Sequence, residues 1–178
     1  MSLVEVHSND GSREDDMTSA HVYTVSTQMT VPRTIAAVHA RVPIGAVSTT
    51  FRRYLDQVYT AARSGAVHLD GQNVFVYRVV ADRPTELDVA FGVGVTTPFT
   101  SVGAVEPTSL PDGEVATTTH WGNYAELGAA HAAVEEWCRT NGRRRAGPSW
   151  EVYGHWTDDE TRLRTDVFHL LEPATMQR

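Results

Sequence analysis

The chain has 178 residues and a mass of 19.6 kDa, enough for one domain or two small fused halves with a buried core. Its 41% hydrophobic and 21% charged content excludes wholesale disorder. A net charge of -7 and a pI near 5.5 argue against nucleic acid as a direct partner, because phosphate binding needs a basic surface. All 15 basic residues are Arg, and their only cluster, Arg143, Arg144 and Arg145, reads as a solvated turn at a helix end. The single Cys138 excludes an internal disulfide and lies in an apolar helical pattern, as a buried structural thiol does. No apolar run approaches the roughly 20 residues that span a bilayer. The start, MSLVEVHSNDGSREDDMTSA, lacks the basic and apolar regions of a secretory signal, so residues 1–20 are expected to form a flexible arm and the protein to be cytoplasmic, off the membrane.

His21 to Thr30 alternates with period two, the pattern of a strand, and Pro32 breaks it. A second strand is predicted over Thr34 to Arg41, closed by the Pro43-Ile-Gly45 turn. From Ala46 to about Ala62 the stripe Val47, Phe51, Leu55, Val58 and Ala62 predicts an amphipathic helix, and Ser64-Gly65 ends it. Asn73 to Val80 and Leu87 to Val95 read as two strands, rich in β-branched and aromatic residues, joined across Asp82-Arg-Pro84. Thr96 to Gly113 carries Pro98, Pro107 and Pro111 and reads as a connector. A strand over Val115 to Trp121, a helix over Ala125 to Thr140 and a hairpin of Trp150 to Trp156 with Leu163 to Leu171 complete the chain.

The second set of elements echoes the first. Phe51, Leu55 and Val58 fall opposite Ala130, Val134 and Trp137, each 79 residues on, and Val76-Tyr77 falls opposite Val152-Tyr153, 76 residues on. An offset that changes only at a loop is what a duplicated unit leaves. Repeat one is placed at about 21–95, the connector at 96–113 and repeat two at about 114–171, in one domain of residues 21–173. Two such units imply a cleft between them.

Several chemistries are set aside. Gly92-Val-Gly94 lacks the third glycine and the helix of a dinucleotide site, and there is neither a G-x-S-x-G elbow nor a P-loop. The eight His residues show no H-E-x-x-H and no helical i,i+4 pair, so no metal and no cofactor is expected. The aromatic residues of the second half, Trp121, Tyr124, Trp137, Trp150, Tyr153, Trp156 and Phe168, offer either core or the walls of a slot for a planar or cationic ligand. Alternation puts Glu151 and Tyr153 on one face of their strand and Trp150 and Val152 on the other. If the Glu151 face looks into the slot, burial raises the carboxyl's pKa; if it meets water, Glu151 is an ordinary surface charge. Asp166 is the other carboxylate whose direction the pattern leaves open.

These residues resemble the GyrI-like small-molecule-binding domains, related to the effector-binding domains of AraC-type and MerR-type regulators. The resemblance is carried by VPRTIAAVHARVP, by VFVYRV with LDVAFGVGV, and by THWGNYAELGAAHAAVEEW with GPSWEVY and RTDVFHLL, over about Tyr23 to Leu171. It implies an α+β fold of two pseudo-symmetric strand-helix-strand-strand (SHS2-like) repeats, with a curved antiparallel sheet and two helices flanking a central groove. It also implies an aromatic groove with an acid, for lipophilic and often cationic compounds. Position by position, the family's H-x-G-x-Y turn falls on His120, Gly122 and Tyr124, its acidic hairpin on Glu151 and Tyr153, and its last strand on Thr165, Asp166 and Phe168. Ala90 stands where an acid is common, which moves the acidic role to Glu151.

The expected ligand-binding residues are Tyr124, Trp137, Glu151, Tyr153, Phe168, Trp121 and Phe91. The partner is a small molecule bound for sensing, sequestration or resistance, with the oligomeric state open. With about 20 polar residues ahead of the domain, a stand-alone member without a helix-turn-helix segment is expected. Two alternatives follow from the resemblance. One is a hydrolase that opens cyclopropane-containing DNA-alkylating compounds, with Glu151 and Tyr124 catalytic, and the other is a protein-binding topoisomerase inhibitor.

Overall fold

The structure is a computed structural model that describes residues 22–174; the expected N-terminal arm lies outside the described residues. Eight strands and two helices follow in the order β1 (Ser26–Thr30), β2 (Thr34–Pro43), α1 (Val47–Arg63), β3 (Leu69–Val80), β4 (Arg83–Val95), β5 (Glu106–Ser109), β6 (Gly113–Trp121), α2 (Leu127–Thr140), β7 (Arg145–Tyr153) and β8 (Arg164–Leu171). Every strand joins one antiparallel sheet in the order β1-β6-β8-β7-β3-β4-β2-β5. The sequence β2-α1-β3-β4 is repeated as β6-α2-β7-β8, and the two units meet where β3 pairs with β7.

The connectivity forces the sheet to curl. β1 and β2 stand six strand spacings apart in the sheet, as do β5 and β6, which in a flat sheet is roughly 29 Å. Yet only Val31–Arg33 join the first pair and Leu110–Asp112 the second, and a link of that length reaches at most about 14 Å. The two ends of the sheet therefore come together. The two links run beside the ends of their neighbouring strand pairs: the Leu110 N–H donates to the Arg33 carbonyl at 2.8 Å, continuing β2–β5, and the Thr30 hydroxyl donates to the Gly113 carbonyl at 3.1 Å, at the end of β1–β6.

Curling gives the sheet an inner face and an outer face. Ile35, Ala37, Val74, Val76, Leu110, Val115, Trp150 and Val152 pack together inside, with Trp150 stacked on Phe168 at 5.3 Å. Gly92 is part of that interior: a Cβ there would lie 2.6 Å from Ile35 Cδ1 and 2.9 Å from the Ala36 carbonyl, so no larger residue fits without movement. The helices cover the outer face. α1 packs on β2 and β4, α2 on β6 and β8, and the central strands β3 and β7 are left as the floor of a groove between them.

The local reasons for the helices are legible in the chain. α1 buries Leu55, Val58 and Ala61 against Val38, Phe75, Val89 and Phe91. α2 buries Leu127, Ala130, Val134 and Cys138 against Ala116, Val167 and Leu171. The Asn123 side chain accepts from the Ala125 N–H ahead of α2, a cap for otherwise unpaired donors. After each helix a glycine takes positive φ, 80° at Gly65 and 62° at Gly142, which reverses the chain.

Three sequence readings are corrected. The connector contains a strand, β5, which adds to the β2 edge; with Pro107 and mostly polar residues, EPTS shows no period-two apolar signal. β1 is shorter than His21 to Thr30 and pairs with β6 of the other unit. The offset between the halves is 80 through the first strand: Ala36 pairs with Val93 as Ala116 pairs with His169, and the helices start at Val47 and Leu127. The 79-residue offset came from matching apolar stripes, which on a helix tolerate a shift of one position. The hairpin offset of 76 holds, since Phe75 pairs with Phe91 as Glu151 pairs with Val167.

Candidate functional site

The pairing of β3 with β7 places Phe75 directly opposite Glu151. These two residues are also counterparts in the duplication, 76 positions apart. The approximate two-fold axis relating the halves therefore passes between them, at the floor of the groove. Tyr77 and Tyr153 are counterparts by the same offset and flank that axis.

Glu151 is 5% exposed and is held by three donors. The Tyr77 and Tyr153 hydroxyls each donate to Oε2 at 2.5 Å, and His131 Nε2, on α2, lies 2.9 Å from Oε1. His131 Nδ1 lies in turn 2.9 Å from Nε2 of His169 on β8. With Nε2–H of His131 directed at the carboxylate, Nδ1 accepts from Nε2–H of His169, and one chain runs from the sheet through α2 to Glu151. Among the described residues no guanidinium pairs with this carboxylate.

Electrostatics follow from that arrangement. Burial is the largest single influence on Glu151 and pushes its pKa up, but the hydrogen bond and charge of His131 and the hydroxyls of Tyr153 and Tyr77 together bring it below the ordinary value. Burial acts in the expected direction, but the net shift is downward because the carboxyl is buried among donors, not among hydrocarbon. Desolvation and the adjacent carboxylate hold the Tyr77 and Tyr153 phenols well above their usual value, so both remain donors. Burial first, then His131 and Arg145, lower His169 to about 3, and it stays neutral near pH 7. The site is thus a buried anion held by neutral hydroxyls and an imidazole.

Aromatic rings surround it. Tyr153 meets Phe75 at 5.0 Å and Tyr124 edge-on at 5.5 Å, and Phe75 lies 5.1 Å from Phe91 and 5.8 Å from Phe51. Phe91 is fully buried and stacks on Tyr54 at 4.8 Å beneath α1. Two surface hollows, of about 330 and about 380 Å³, lie elsewhere, beside Arg33 and Phe99 and beside Asp56 and Val102.

The expected site residues therefore divide. Glu151, Tyr153 and Tyr124 form a contiguous set, and Phe91 joins it through Phe75. Trp137 packs on the α2 core. Phe168 pairs with Trp150 and Thr117 on the inner face of the sheet, away from Glu151. Trp121 shares that strand parity and lies half exposed near Arg164, whose guanidinium sits 5.8 Å from the ring. The Phe168 and Trp121 expectations are corrected by strand alternation: each is an odd step from the residues that face the helices. Asp166 is also on that side, bonded to Thr119 and Arg164, so Glu151 is the carboxylate that faces the groove.

Residues that sequence reasoning missed are Tyr77, His131 and His169. Tyr77 carried a signal, as the duplication partner of Tyr153. The two histidines carried none, because residues 131 and 169 meet only when α2 packs on β8.

The fold is a duplicated strand-helix-strand-strand unit in one antiparallel sheet, with Glu151 near the centre that relates the halves. The family profile of the GyrI-like small molecule binding domain matches residues 24–171, and the chain belongs to this family. No curated protein matches it. Among solved structures, the EcmrR C-terminal domain superposes with a TM-score of 0.73 at 15% identity, over 86% of this chain and 100% of that one. SAV2435 bound to tetraphenylphosphonium gives 0.65 at 9% identity, over 84% and 94%. A hydrolase from Listeria innocua gives 0.52 at 12% identity, over 83% and 91%. At these identities the likeness is one of fold. No described helix is long and apolar enough to cross a membrane.

Proposed function

We propose that the groove binds a planar, lipophilic, cationic small molecule, with Glu151 as its counter-charge and Phe75, Tyr77, Tyr153 and Tyr124 as its aromatic surroundings. The observation that carries this reading is the buried Glu151 carboxylate, ionised at neutral pH yet without a permanent cation among the described residues. A buried anion of this kind gains most from a charge that sheds little hydration, such as a delocalised organic cation, which also meets the negative faces of nearby rings. The tetraphenylphosphonium held by SAV2435, a protein of the same fold, is a lipophilic aromatic cation and supports that part of the reading, though its tetrahedral centre does not bear on planarity. Such binding serves sensing, sequestration or resistance alike.

The hydrolase alternative asks Glu151 to take a proton from water. The hydrogen bonds that keep the carboxylate ionised also make it a weak base, and Tyr124 touches Tyr153 without reaching Glu151, so binding is the reading we favour. Isothermal titration with tetraphenylphosphonium and a panel of aromatic cations tests it. Glu151→Gln should weaken binding about 10- to 100-fold, the worth of a charge-assisted contact. Absence of heat with every cation in a folded protein, or equal affinity in the variant, would overturn the proposal. Turnover of a cyclopropane-containing compound, seen as a hydrated product by mass spectrometry and lost in Glu151→Gln, would favour the hydrolase.

A further inference from the structure

We propose that His131 is a built-in occupant of the cation position on Glu151, held there by His169, and that a cationic ligand binds by displacing it. This inference rests on the reading of the groove as a cation site and concerns what governs entry to that site.

The geometry separates the three donors on Glu151. Tyr77 and Tyr153 rise from the floor strands β3 and β7 and share Oε2. His131 comes from α2, the wall of the groove, and takes Oε1 alone at 2.9 Å. Its side chain is 23% exposed, against 7% for that of Glu151, so the imidazole stands between the carboxylate and the space separating the helices. A ligand cation arriving through the groove meets His131 before it meets Oε1. Removing either tyrosine from Oε2 would require moving a strand-anchored ring, one packed on Phe75 and Tyr124 and the other edge-on to His131 at 6.4 Å. Moving His131 requires only a change of side-chain rotamer on a helix.

What resists that change is His169. It is 3% exposed and lies 2.9 Å from His131 Nδ1, with the two rings 5.1 Å apart, so it anchors the far side of the imidazole and fixes which nitrogen faces the carboxylate. The counterparts of this pair in the first half are Phe51 and Val93, 80 and 76 residues earlier, which form no such chain. His131 is thus a specificity-determining residue and His169 a positioning residue. The arrangement leaves Glu151 partnered by His131, and it admits ligands that carry a permanent charge to Oε1 over neutral aromatic compounds that cannot replace the imidazole there.

The test uses the full chain and a pair of isosteric probes, 1-methylquinolinium and neutral 1-methylnaphthalene, titrated by calorimetry at one pH. His131→Ala should tighten the cation about tenfold or more, as removal of a competing hydrogen bond to a charged group predicts, and change the neutral probe much less. His169→Val, which leaves Glu151 untouched, should shift the cation in the same direction by a smaller factor. That variant keeps the inference testable if His131→Ala does not fold. Equal tightening of both probes would mean that the variant only enlarges the groove, and would overturn the proposal. Weaker cation binding in His131→Ala would make the histidine a ligand contact and overturn it as well. If the wild-type protein and both variants bind neither this cation nor tetraphenylphosphonium, the cation reading of the groove fails. If the wild type binds a cation and the variants bind it no more tightly, only the displacement inference fails.

Discussion

The two halves of the molecule place different chemistry at equivalent positions of one scaffold. On the outer face, Phe51, Phe75, Phe91 and Val93 of the first half correspond to His131, Glu151, Val167 and His169 of the second. The contacts correspond as well: Phe51 packs on Phe75 at 5.8 Å where His131 bonds Glu151 at 2.9 Å. On the inner face the bias reverses, with Val74 and Gly92 in the first half and the stacked Trp150 and Phe168 in the second. One half thus contributes an apolar aromatic wall to the groove and the other an ionic network. The repeat supplies two equivalent sets of positions, and the site arises where their side chains differ on the same strand-helix-strand-strand order.

That comparison can be broken experimentally, and the largest effect should come from its aromatic side. Phe75 is 4% exposed and touches Phe51, Phe91 and Tyr153. Phe75→Ala should cost about 3–5 kcal/mol of stability, measured by urea unfolding, since it opens a cavity under the groove. A loss below about 1 kcal/mol would mean that the wall is not packed as described.

The polar side has its own signature in pH. His169 ordinarily titrates near 6.5 and is lowered to about 3 in the fold. Between those values the unfolded chain binds a proton that the native protein refuses, so stability falls as pH drops from about 6.5 toward 3. Glu151, whose native pKa is depressed, adds stability above the ordinary carboxylate range that is lost further into acid. His169→Val should flatten the slope of Tm against pH between 6.5 and 4; an unchanged slope would show that His169 is not buried as a neutral ring.

Tyr77 and Tyr153 sharpen the comparison, as the positions where the halves stayed alike. Each gives Glu151 Oε2 one hydrogen bond of 2.5 Å. Tyr77→Phe and Tyr153→Phe should each cost about 1.5–3 kcal/mol, the range for bonds to a charged group. Near-equal losses in chemical denaturation would support their equivalence, and a strongly unequal pair would refute it. The smallest effect is expected at Trp121, half exposed and on the strand face opposite Glu151. Trp121→Ala should leave the affinity for an aromatic cation unchanged in the same titrations that register Glu151→Gln. A tenfold loss would place Trp121 in the groove after all.

By itself the sequence determined most of the elements and the existence of a repeat, because hydrophobic periodicity and turn residues are local properties, while the single curved sheet was implied by the family resemblance. It also placed Glu151 and Tyr153 on one side of their strand, since alternation needs no knowledge of neighbours. The tertiary structure alone decided which face of the sheet looked toward the helices. Short links between β1 and β2 and between β5 and β6 curl the sheet, and the curl encloses Trp150 and Phe168 while turning Glu151 outward into the groove. It alone decided the protonation of the site too. Tyr77, His131 and His169 lie 74, 20 and 18 residues from Glu151 along the chain. The pKa of a buried acid depends on which donors the packing of helix and strands brings within hydrogen-bond reach, and no local pattern specifies that.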